Sequence, residues 1–587
     1  MAVVKREENI VLAVEQWLQR FNAAVANPQP GRLAALFVPD SHWREALALS
    51  WRLKTVSGRD AIGAALAEGL PKFKARDFAI DSKRYPPRVV ERAGVEVIEA
   101  ILRFETDVGR GAGIVRLPLE GSGAPQAWTL HTTLEEIRGH EEPVLHARRQ
   151  DPVFSRDFHG PTWLEQRAAA ARFEDREPTV LVVGGGHAGL GVAARLGQLD
   201  VDTLVIDRMQ RVGDNWRKRY SALKLHNTHA SNHLPYMPFP QTFQTYLPKD
   251  RIANWLEMYV ECMDIAFWTE TEFESGEYDE AAGSWKIVVN RKGEKRVLRP
   301  RHVILATSVS GSPNVPEIPT LERFKGTVVH SSKYGDGAQW RGKDALVIGT
   351  GTSAHDIAQD LHGHGARATM VQRSPTLVSQ IEPSAQLYDG VFLGEGPSLE
   401  DRDLINTSIP KALMLATHKR LTDRAKEHDR PLLEALEKAG FRLSYGFEGT
   451  GWPYLFRTRG GGYYFNVGCS DLIASGEVGL IQYHDIDAFV AEGVKMSDGR
   501  VVKADLVVLA TGYKGLEHMV RTKLGDAVAD RVGPIWGYDR DTQELRNMWS
   551  RTGQPGLWFT GGPFSACRAY AKYLALQIKA TQLGLIE

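Results

Sequence analysis

The sequence has little cysteine. Its 587 residues include three cysteines, Cys262, Cys469 and Cys567, which lie far apart and form no CxxC pair. This spacing argues against a disulfide framework, a structural zinc site and a dithiol redox centre, because each of these needs paired or clustered thiols. We therefore expect a reduced, cytoplasmic setting and no metal site.

Net charge and long apolar runs are also missing. Lys plus Arg and Asp plus Glu both number 72, so no overall field would attract nucleic acid or an anionic membrane. No stretch reaches the roughly 18 apolar residues that a membrane span needs. The N-terminal MAVVKREENIVLAVEQW is charged early, unlike a secretory leader. We expect no nucleic-acid partner and no membrane contact.

The length and composition predict several globular domains. The chain of 587 residues with 43% hydrophobic residues exceeds one hydrophobic core, so two to four domains are expected. Residues 1–142 begin with a helical apolar pattern and then alternate like curved antiparallel strands, which predicts an α+β domain. The helical pattern consists of Ile10, Val14, Trp17, Leu18 and Phe21. Residues 143–177 are polar and predict a linker with one short helix around 163–173.

A first glycine-rich loop follows this linker. TVLVVGGGHAGLGVAARLGQLDVDTLVIDR gives a buried strand, a GxGxxG loop of Gly184, Gly186 and Gly189, a helix, and a second strand ending at Asp207. Gly184 permits the tight turn, Gly186 allows a pyrophosphate to approach the backbone, and Gly189 allows the helix to pack on the strand. Asp207 is placed to accept hydrogen bonds from ribose hydroxyls. The loop therefore predicts a dinucleotide site suited to FAD.

A second glycine-rich loop is followed by a strand that ends in a basic residue, whereas the strand after the first loop ends in an acidic one. KDALVIGTGTSAHDIAQDLHGHGARATMVQRSPT supplies Gly349, Gly351 and Ala354 in the GxGxxA variant. The following strand ends at Arg373 instead of an acid, and an arginine suits the 2′-phosphate of NADPH. An ordinary surface arginine and the use of NADH as well remain open alternatives.

Two similar strands predict how these nucleotide sites are connected. HVILATS at 302–308 and DLVVLATGY at 505–513, which contains Thr511 and Gly512, each follow a meander of short strands. Such pairs mark the crossings between an FAD domain and an NADPH domain inserted into it. We predict an α/β fold with two doubly wound dinucleotide-binding domains: an FAD domain at 178–316 and 504–587, and an NADPH domain at 317–503.

The motif order resembles that of the flavin-containing monooxygenases, a branch of the single-component flavoprotein monooxygenases, which also include the Baeyer–Villiger enzymes. The linker motif FKGTVVHSSKY supplies Phe324, Gly326, His330 and Tyr334 between the two loops, and Trp216 stands where the family has a tryptophan of the flavin site. The resemblance covers about residues 178–587. It implies that NADPH reduces FAD, that the reduced flavin and O2 form a C4a-peroxyflavin, and that one oxygen atom enters a small organic substrate.

The stretch NWRKRYSALKLHNTHASNHLPYMPFP is similar to the YxxLKLH region of the plant YUCCA-type enzymes, which act on a 2-oxo acid. His226 stands where the amine and sulfide oxygenases have an asparagine, although the adjacent Asn227 is an alternative. A histidine beside the flavin could control a proton, which favours a ketone or 2-oxo acid substrate. We list His226, Asn227 and His330 as candidate catalytic residues, and expect His330 to serve the domain junction. N- or S-oxygenation, and an NADPH oxidase or flavin reductase, remain alternatives.

The N-terminal domain resembles the nuclear-transport-factor-2-like domains, whose helices and curved sheet form a cone. This resemblance implies a scaffold or a homodimer interface. A small hydrolase or cyclase site of Asp40, His42, Trp43 and Arg44 is a further alternative. We also expect the aromatic and glycine-rich region at about 380–470 to shape the access path to the flavin.

Overall fold

The computed structural model describes residues 2–120, 123–148, 159–308 and 311–586. The predicted linker falls partly outside these ranges, but its short helix is present as α4, Trp163–Ala170, which a Thr162–Glu165 capping box begins. Within the described ranges, no helix combines the length and the apolar character needed to cross a membrane. The same ranges hold no group of three or more His, Cys, Asp or Glu side chains placed to bind a metal ion.

The N-terminal domain is an α+β unit, as the alternating pattern predicts. Its seven strands form one sheet in the order β2-β1-β7-β6-β5-β3, with β4 paired to β5. All neighbouring strands are antiparallel except β1 and β7. The elements are α1 Ala2–Val25, α2 Pro30–Ala34, β1 Phe37–Ala46, β2 Leu53–Ser57, α3 Arg59–Lys72, β3 Arg76–Ile80, β4 Arg88–Arg92, β5 Val95–Glu105, β6 Gly109–Pro118 and β7 Ala127–Ile137.

The space between α1 and this sheet is filled by aromatic rings. Trp17 stacks on Phe21 at 4.7 Å, and Phe78 stacks on Phe104 at 4.5 Å. Four of the five predicted helix residues are at most 5% exposed, and Ile10 is 8% exposed. Burial of large aromatic surfaces stabilises the domain, so its interior is a packed core. The resemblance to a cone-shaped family stays a prediction.

The first nucleotide-binding domain is built on a parallel sheet in the order β10-β9-β8-β14-β27. Strand β27 comes from the C-terminal part of the chain and pairs with β14, so this sheet contains strands from both ends of the region. The elements are β8 Val180–Val183, α5 His187–Gln198, β9 Thr203–Ile206, α6 Asp214–Arg217, α7 Lys249–Cys262, β10 Ala266–Trp268, β11 Thr271–Asp279, β12 Ser284–Arg291, β13 Glu294–Leu298 and β14 His302–Leu305, and later α13 Leu516–Leu524, α14 Asp526–Val532, β27 Leu557–Phe559 and α15 Phe564–Gln582.

The second domain contains a parallel sheet in the order β16-β25-β17-β18-β21. Between its later strands lies a helical segment that contains α9 to α11. The elements are β15 Ser312–Pro313, β16 Thr327–His330, β17 Asp344–Ile348, α8 Thr352–Gly363, β18 Arg367–Gln372, β19 Leu377–Gln380, α9 Leu399–Thr407, α10 Lys411–Lys438, α11 Gly451–Arg459, β20 Tyr463–Asn466, α12 Cys469–Ser475, β21 Gly479–Gln482, β22 Ile486–Val490, β23 Gly493–Met496, β24 Val501–Lys503, β25 Leu506–Leu509 and β26 Tyr513–Lys514.

The two crossings between the domains run side by side. Strand β15, where the chain leaves the first domain, pairs antiparallel with β26, where the chain returns to it. Strand β25 lies before this crossing and pairs with β16 and β17. The predicted return to the FAD domain at residue 504 is therefore too early. The strand of DLVVLATGY belongs to the second sheet, because its apolar residues fill the place between β16 and β17.

Each nucleotide-binding sheet differs from the doubly wound prediction, which puts helices on both faces. In the second sheet, Ala345 and Val347 pack in one core with α8, whereas Leu346 and Ile348 pack in another with β22 and β23. In the first sheet, strands β11 to β13 form the corresponding three-stranded antiparallel layer. Strand β17 has apolar side chains on both faces, so its sequence predicts that both faces are covered. The sequence does not show whether helices or a β-meander cover each face.

Candidate active site

The first glycine loop has the backbone that its glycines predict. Gly184 has φ +112°, and a Cβ added there would lie 2.6 Å from the carbonyl oxygen of Ala306 at the end of β14. A Cβ on Gly189 would lie 2.1 Å from the Gly184 oxygen. Both positions therefore exclude a larger residue, because the loop, α5 and β14 approach closely. Gly186 is the N-cap of α5, whose free N–H groups suit a phosphate.

Asp207 follows the next strand, β9, as predicted, and it braces the loop. Its Oδ2 accepts a hydrogen bond of 2.7 Å from the Gly185 N–H, and its Oδ1 accepts one of 2.9 Å from the Met209 N–H. One carboxylate oxygen thus holds the glycine loop in place. The hydrogen bond to a ribose stays a prediction.

An aromatic group that the sequence analysis missed connects this loop to the start of α15. The His187 ring stacks on Phe564 at 4.1 Å, and its Nε2 donates to the Gly562 carbonyl at 2.8 Å. Trp216, the predicted flavin-site tryptophan, lies 6.2 Å from each of these two rings. The position of His187 inside GGGHAGLG is a signal that could have suggested a role at this loop.

The second glycine loop repeats the geometry of the first. Gly349 has φ +122°, and an added Cβ would lie 2.5 Å from the Ala510 oxygen at the end of β25. Gly351 is the N-cap of α8, and a Cβ there would meet nothing within 4 Å. Ala354 is buried where α8 packs on the sheet, with 1% exposure. The open space beside Gly351 and the N-terminus of α8 fit a dinucleotide pyrophosphate.

Arg373 lies just after β18, at the predicted strand end, and is exposed. Its guanidinium has no hydrogen-bond or ion-pair partner in the described part of the chain, while its carbonyl accepts from Arg442 Nη2 at 2.5 Å. The Arg442 backbone exchanges two hydrogen bonds with the Gln372 side chain, of 2.8 and 2.9 Å. Two arginines therefore lie at this strand end. Sequence reasoning missed Arg442, because it is about 70 residues away along the chain.

His330 lies at the crossing between the domains. A carbonyl only accepts, so Nε2 donates to the Gly512 oxygen at 3.0 Å, while Nδ1 accepts from the Ser332 N–H at 3.1 Å. Thr511 Oγ1 donates to the Asn314 carbonyl at 2.6 Å in the same crossing. Burial lowers the pKa of His330. Both ring nitrogens are occupied by hydrogen bonds at the junction, and a catalytic role for His330 stays a prediction.

His226 and Asn227 lie on different sides of their segment. The His226 ring lies 5.8 Å from Phe465, and burial lowers its pKa while the nearby Asp356 carboxylate opposes that shift. Asn227 Nδ2 donates to Asp389 Oδ2 at 3.2 Å and lines a large cavity. Of the two candidates, the structure brings Asn227 to the cavity, and His226 toward Phe465 and Asp356.

This cavity of about 390 Å³ lies where four parts of the chain meet. The N-terminal domain, the segment that contains Asn227, the helical segment of α9 to α11, and the C-terminal part of the first nucleotide domain all contribute to its wall. Its lining includes Arg44, Arg92, Tyr388, Trp452, Trp536 and Pro563. The region at 380–470 therefore forms much of this wall. The size and the aromatic lining suit a small organic ligand.

The N-terminal domain reaches this cavity because one face of its sheet packs on the later parts of the chain. Arg44 forms a two-bonded ion pair with Glu544, at 2.8 and 2.6 Å. Trp43 points to the opposite face, where its indole donates to Thr132 at 2.9 Å, and His42 Nδ1 lies 2.8 Å from Ser57 Oγ. Trp43 therefore lies apart from the other three candidates, whereas Asp40 and His42 line one small pocket with Ser57, and a hydrolase site there stays a prediction. Alternation along β1 sends successive side chains to opposite faces.

Comparisons with known proteins agree with this architecture. A family model for pyridine nucleotide-disulphide oxidoreductases matches residues 181–388. The rice (Oryza sativa subsp. japonica) indole-3-pyruvate monooxygenase YUCCA1 is 30% identical over 352 residues, which cover 60% of this chain and 80% of the relative. The Arabidopsis thaliana probable indole-3-pyruvate monooxygenase YUCCA9 is 30% identical over 336 residues, covering 57% and 74%. The chain therefore belongs to the flavin-containing monooxygenases, a family of oxidoreductase enzymes.

Solved structures support the fold. A cyclohexanone monooxygenase bound to ε-caprolactone matches with a TM-score of 0.51 at 18% identity, covering 69% of this chain and 88% of that one. A complex of OTEMO with FAD and NADP matches with a TM-score of 0.52 at 18% identity, covering 70% and 86%. At this level of identity the match shows a common fold.

Proposed function

We propose that this enzyme is an FAD-dependent, NADPH-using monooxygenase that transfers one oxygen atom of O2 to a small carbonyl substrate, a ketone or a 2-oxo acid. The supporting observation is the combination of two glycine loops of matching geometry with one cavity. Pro563, next to the Gly562 that His187 contacts, lies in the cavity wall. The first loop and the cavity thus share one end of α15.

The residues present fit both cofactors. The loop from Gly184 to Gly189 and Asp207 would hold FAD, with Trp216 near the ring system. The loop from Gly349 to Ala354 would hold NADPH, with Arg373 beside its 2′-phosphate. When bound, the flavin would accept hydride from NADPH and react with O2. The cavity wall orients the substrate and limits the access of water.

The carbonyl preference rests on the relatives. The rice relative is named for a 2-oxo acid, indole-3-pyruvate, and its alignment covers most of that protein. The position of His226 does not add support, because this ring lies against Phe465 and Asp356 and not in the cavity wall. Proton control by His226 is therefore not part of the proposal.

Oxygenation of an amine or a sulfide is the second candidate, and Asn227 favours it. An asparagine takes this place in the enzymes of that type that the sequence resembles, and Asn227 lines the cavity. An NADPH oxidase, which would release the reduced oxygen as peroxide, is the third candidate.

Labelled oxygen separates these functions. The purified holoenzyme is incubated with NADPH, 18O2 and a panel of ketones, 2-oxo acids, amines and sulfides, and products and H2O2 are measured. We expect one 18O atom in the oxygenated product of a carbonyl compound and little H2O2. Exclusive formation of N-oxides or sulfoxides would replace the carbonyl assignment with the second candidate. H2O2 equal to NADPH consumed with every compound would indicate an oxidase.

A further inference from the structure

One corner of the cavity contains hydrogen-bond donors that lack a suitable acceptor. The guanidinium of Arg457 contacts the thioether sulfur of Met414, and the Tyr538 hydroxyl lies 3.7 Å from the same sulfur. The Lys411 ammonium lies 4.7 Å from the centre of the Tyr538 ring. We call Lys411, Arg457 and Tyr538 the donor corner. A thioether is a weak acceptor, so these groups are poorly satisfied.

A fourth donor lies on the same wall. The indole Nε1 of Trp452, one turn and a half before Arg457 on α11, is buried and has no partner within the described ranges. Buried donors nearly always have an acceptor, because an unpaired one costs about 1–3 kcal/mol. Because this Nε1 is shielded from the open cavity, it shows that acceptors are scarce beside this wall, and the donors that can reach a bound group are those of the donor corner.

The acidic side chains of the cavity do not neutralise this corner. Glu544 is paired with Arg44, and Glu91 lies 3.1 Å from Arg420. Asp389 accepts from Asn227, and burial raises its pKa, which weakens its negative charge. Neither Lys411 nor Arg457 has an acidic partner among the residues that the structure describes. The corner is thus positive as well as rich in donors.

We infer that the donor corner binds a carboxylate of the substrate. This inference rests on the proposed function and names the part of the substrate that the cavity recognises. A carboxylate accepts from a guanidinium and an ammonium at once, and such charge-assisted bonds are about twice as strong as neutral ones. A phenol donor completes the set that a planar anion can use.

The position of the corner also orders the substrate along the cavity. A Cβ added to Gly562 would lie 3.4 Å from the ring of Trp536, so this ring packs on the loop before α15. The Trp536 indole donates to the Phe456 carbonyl at 3.0 Å, next to Arg457. The carboxylate therefore lies beyond Trp536, away from the glycine loop, and the remainder of the substrate extends toward Pro563.

Paired ligands test this assignment. Phenylpyruvate and phenylacetone share a ring and a ketone, but only the former has a carboxylate. We would measure kcat/KM for both with wild type, Arg457→Gln, Lys411→Met and the conservative Arg457→Lys. We would also measure the binding of phenylacetate to the holoenzyme by calorimetry, which does not depend on turnover. Arg459→Gln is the matched control, because Arg459 is exposed on the same helix.

We expect Arg457→Gln and Lys411→Met each to weaken phenylacetate binding and phenylpyruvate kcat/KM by about 10- to 100-fold, the range for one hydrogen bond to a charged group. Phenylacetone should change by less than about threefold, Arg457→Lys should recover part of the loss, and the control should match wild type. Undiminished phenylacetate binding in both variants, or equal losses for acid and ketone, would overturn the assignment. Absence of oxygenated products with intact carboxylate binding would instead count against the proposed function alone.

Discussion

The ion pair between Arg44 and Glu544 should fix the N-terminal domain on the flavin domain. The two side chains are 12% and 10% exposed, and Glu544 also accepts from Thr55 at 3.0 Å. Arg44 Nη2 also donates a hydrogen bond of 2.6 Å to the Tyr570 hydroxyl. Removing one partner of a buried pair leaves an unpaired charge and costs about 3–5 kcal/mol. Arg44→Met and Glu544→Met should each lower the free energy of unfolding by this amount.

A double-mutant cycle measures the interaction free energy between Arg44 and Glu544. Replacing both residues by methionine removes the unpaired charge, so the double variant should lose less than the sum of the single losses. The assay is urea unfolding of the holoenzyme, followed by tryptophan fluorescence. Lys495→Met is the control, because its pair with Asp487 is about half exposed on both sides and should contribute about 0–1 kcal/mol.

Two results would refute this reasoning. Single losses below about 1 kcal/mol would mean that the pair is solvated in solution and does not hold the domain. Additive losses would mean that Arg44 and Glu544 act on separate partners. Because Arg44 lines the cavity, the same variants should also raise KM for the substrate.

Other residues give four further expected outcomes. Gly186→Val should abolish FAD binding, seen as loss of yellow colour, because its side chain would enter the pyrophosphate space; full colour would contradict this. Arg373→Ala and Arg442→Ala should each lower the ratio of NADPH to NADH efficiency about tenfold or more, and an unchanged ratio in both would show that another group reads the phosphate. Burial raises the pKa of Glu45 to about 7, so its contribution to stability is full below about pH 4.5 and is lost as pH rises through 7, by up to about 3 kcal/mol. Glu45→Gln should therefore flatten the decline in unfolding free energy between pH 5 and 8, whereas parallel curves would exclude this carboxyl. Asn227→Ala should raise the H2O2 formed per NADPH, and unchanged coupling would remove Asn227 from the site.

The two glycine loops could be predicted because their signals are local. A buried strand, a turn that needs glycine and a helix follow one another within about 20 residues. The structure has β8 and α5 around Gly184, and β17 and α8 around Gly349, at the expected places. Backbone contacts with Ala306 and Ala510 then account for the glycine at each first position.

Features that depend on distant pairing could not be predicted in the same way. Strand β25 was expected in the FAD domain, but its apolar residues fit between β16 and β17 of the other sheet. The N-terminal domain contacts the C-terminal part of the chain through pairs such as Arg44 and Glu544, which are 500 residues apart. A sequence pattern gives the face that is apolar, but not the element that covers it.

The choice between His226 and Asn227 shows the same limit at the scale of one residue. Their segment contains neither the period of a strand nor that of a helix, so no pattern assigns a face to either side chain. The structure fixes the orientation through one local and one long-range hydrogen bond: the Asn227 backbone carbonyl accepts from the Asn232 side chain at 3.0 Å, and the Asn227 side-chain amide donates to Asp389 at 3.2 Å. A hydrogen bond to a residue 162 positions away therefore selects an amide, and not an imidazole, for the cavity wall. An amide can orient a substrate but cannot exchange a proton near neutral pH, so Asn227 can influence the choice of substrate through hydrogen bonds and not through proton control.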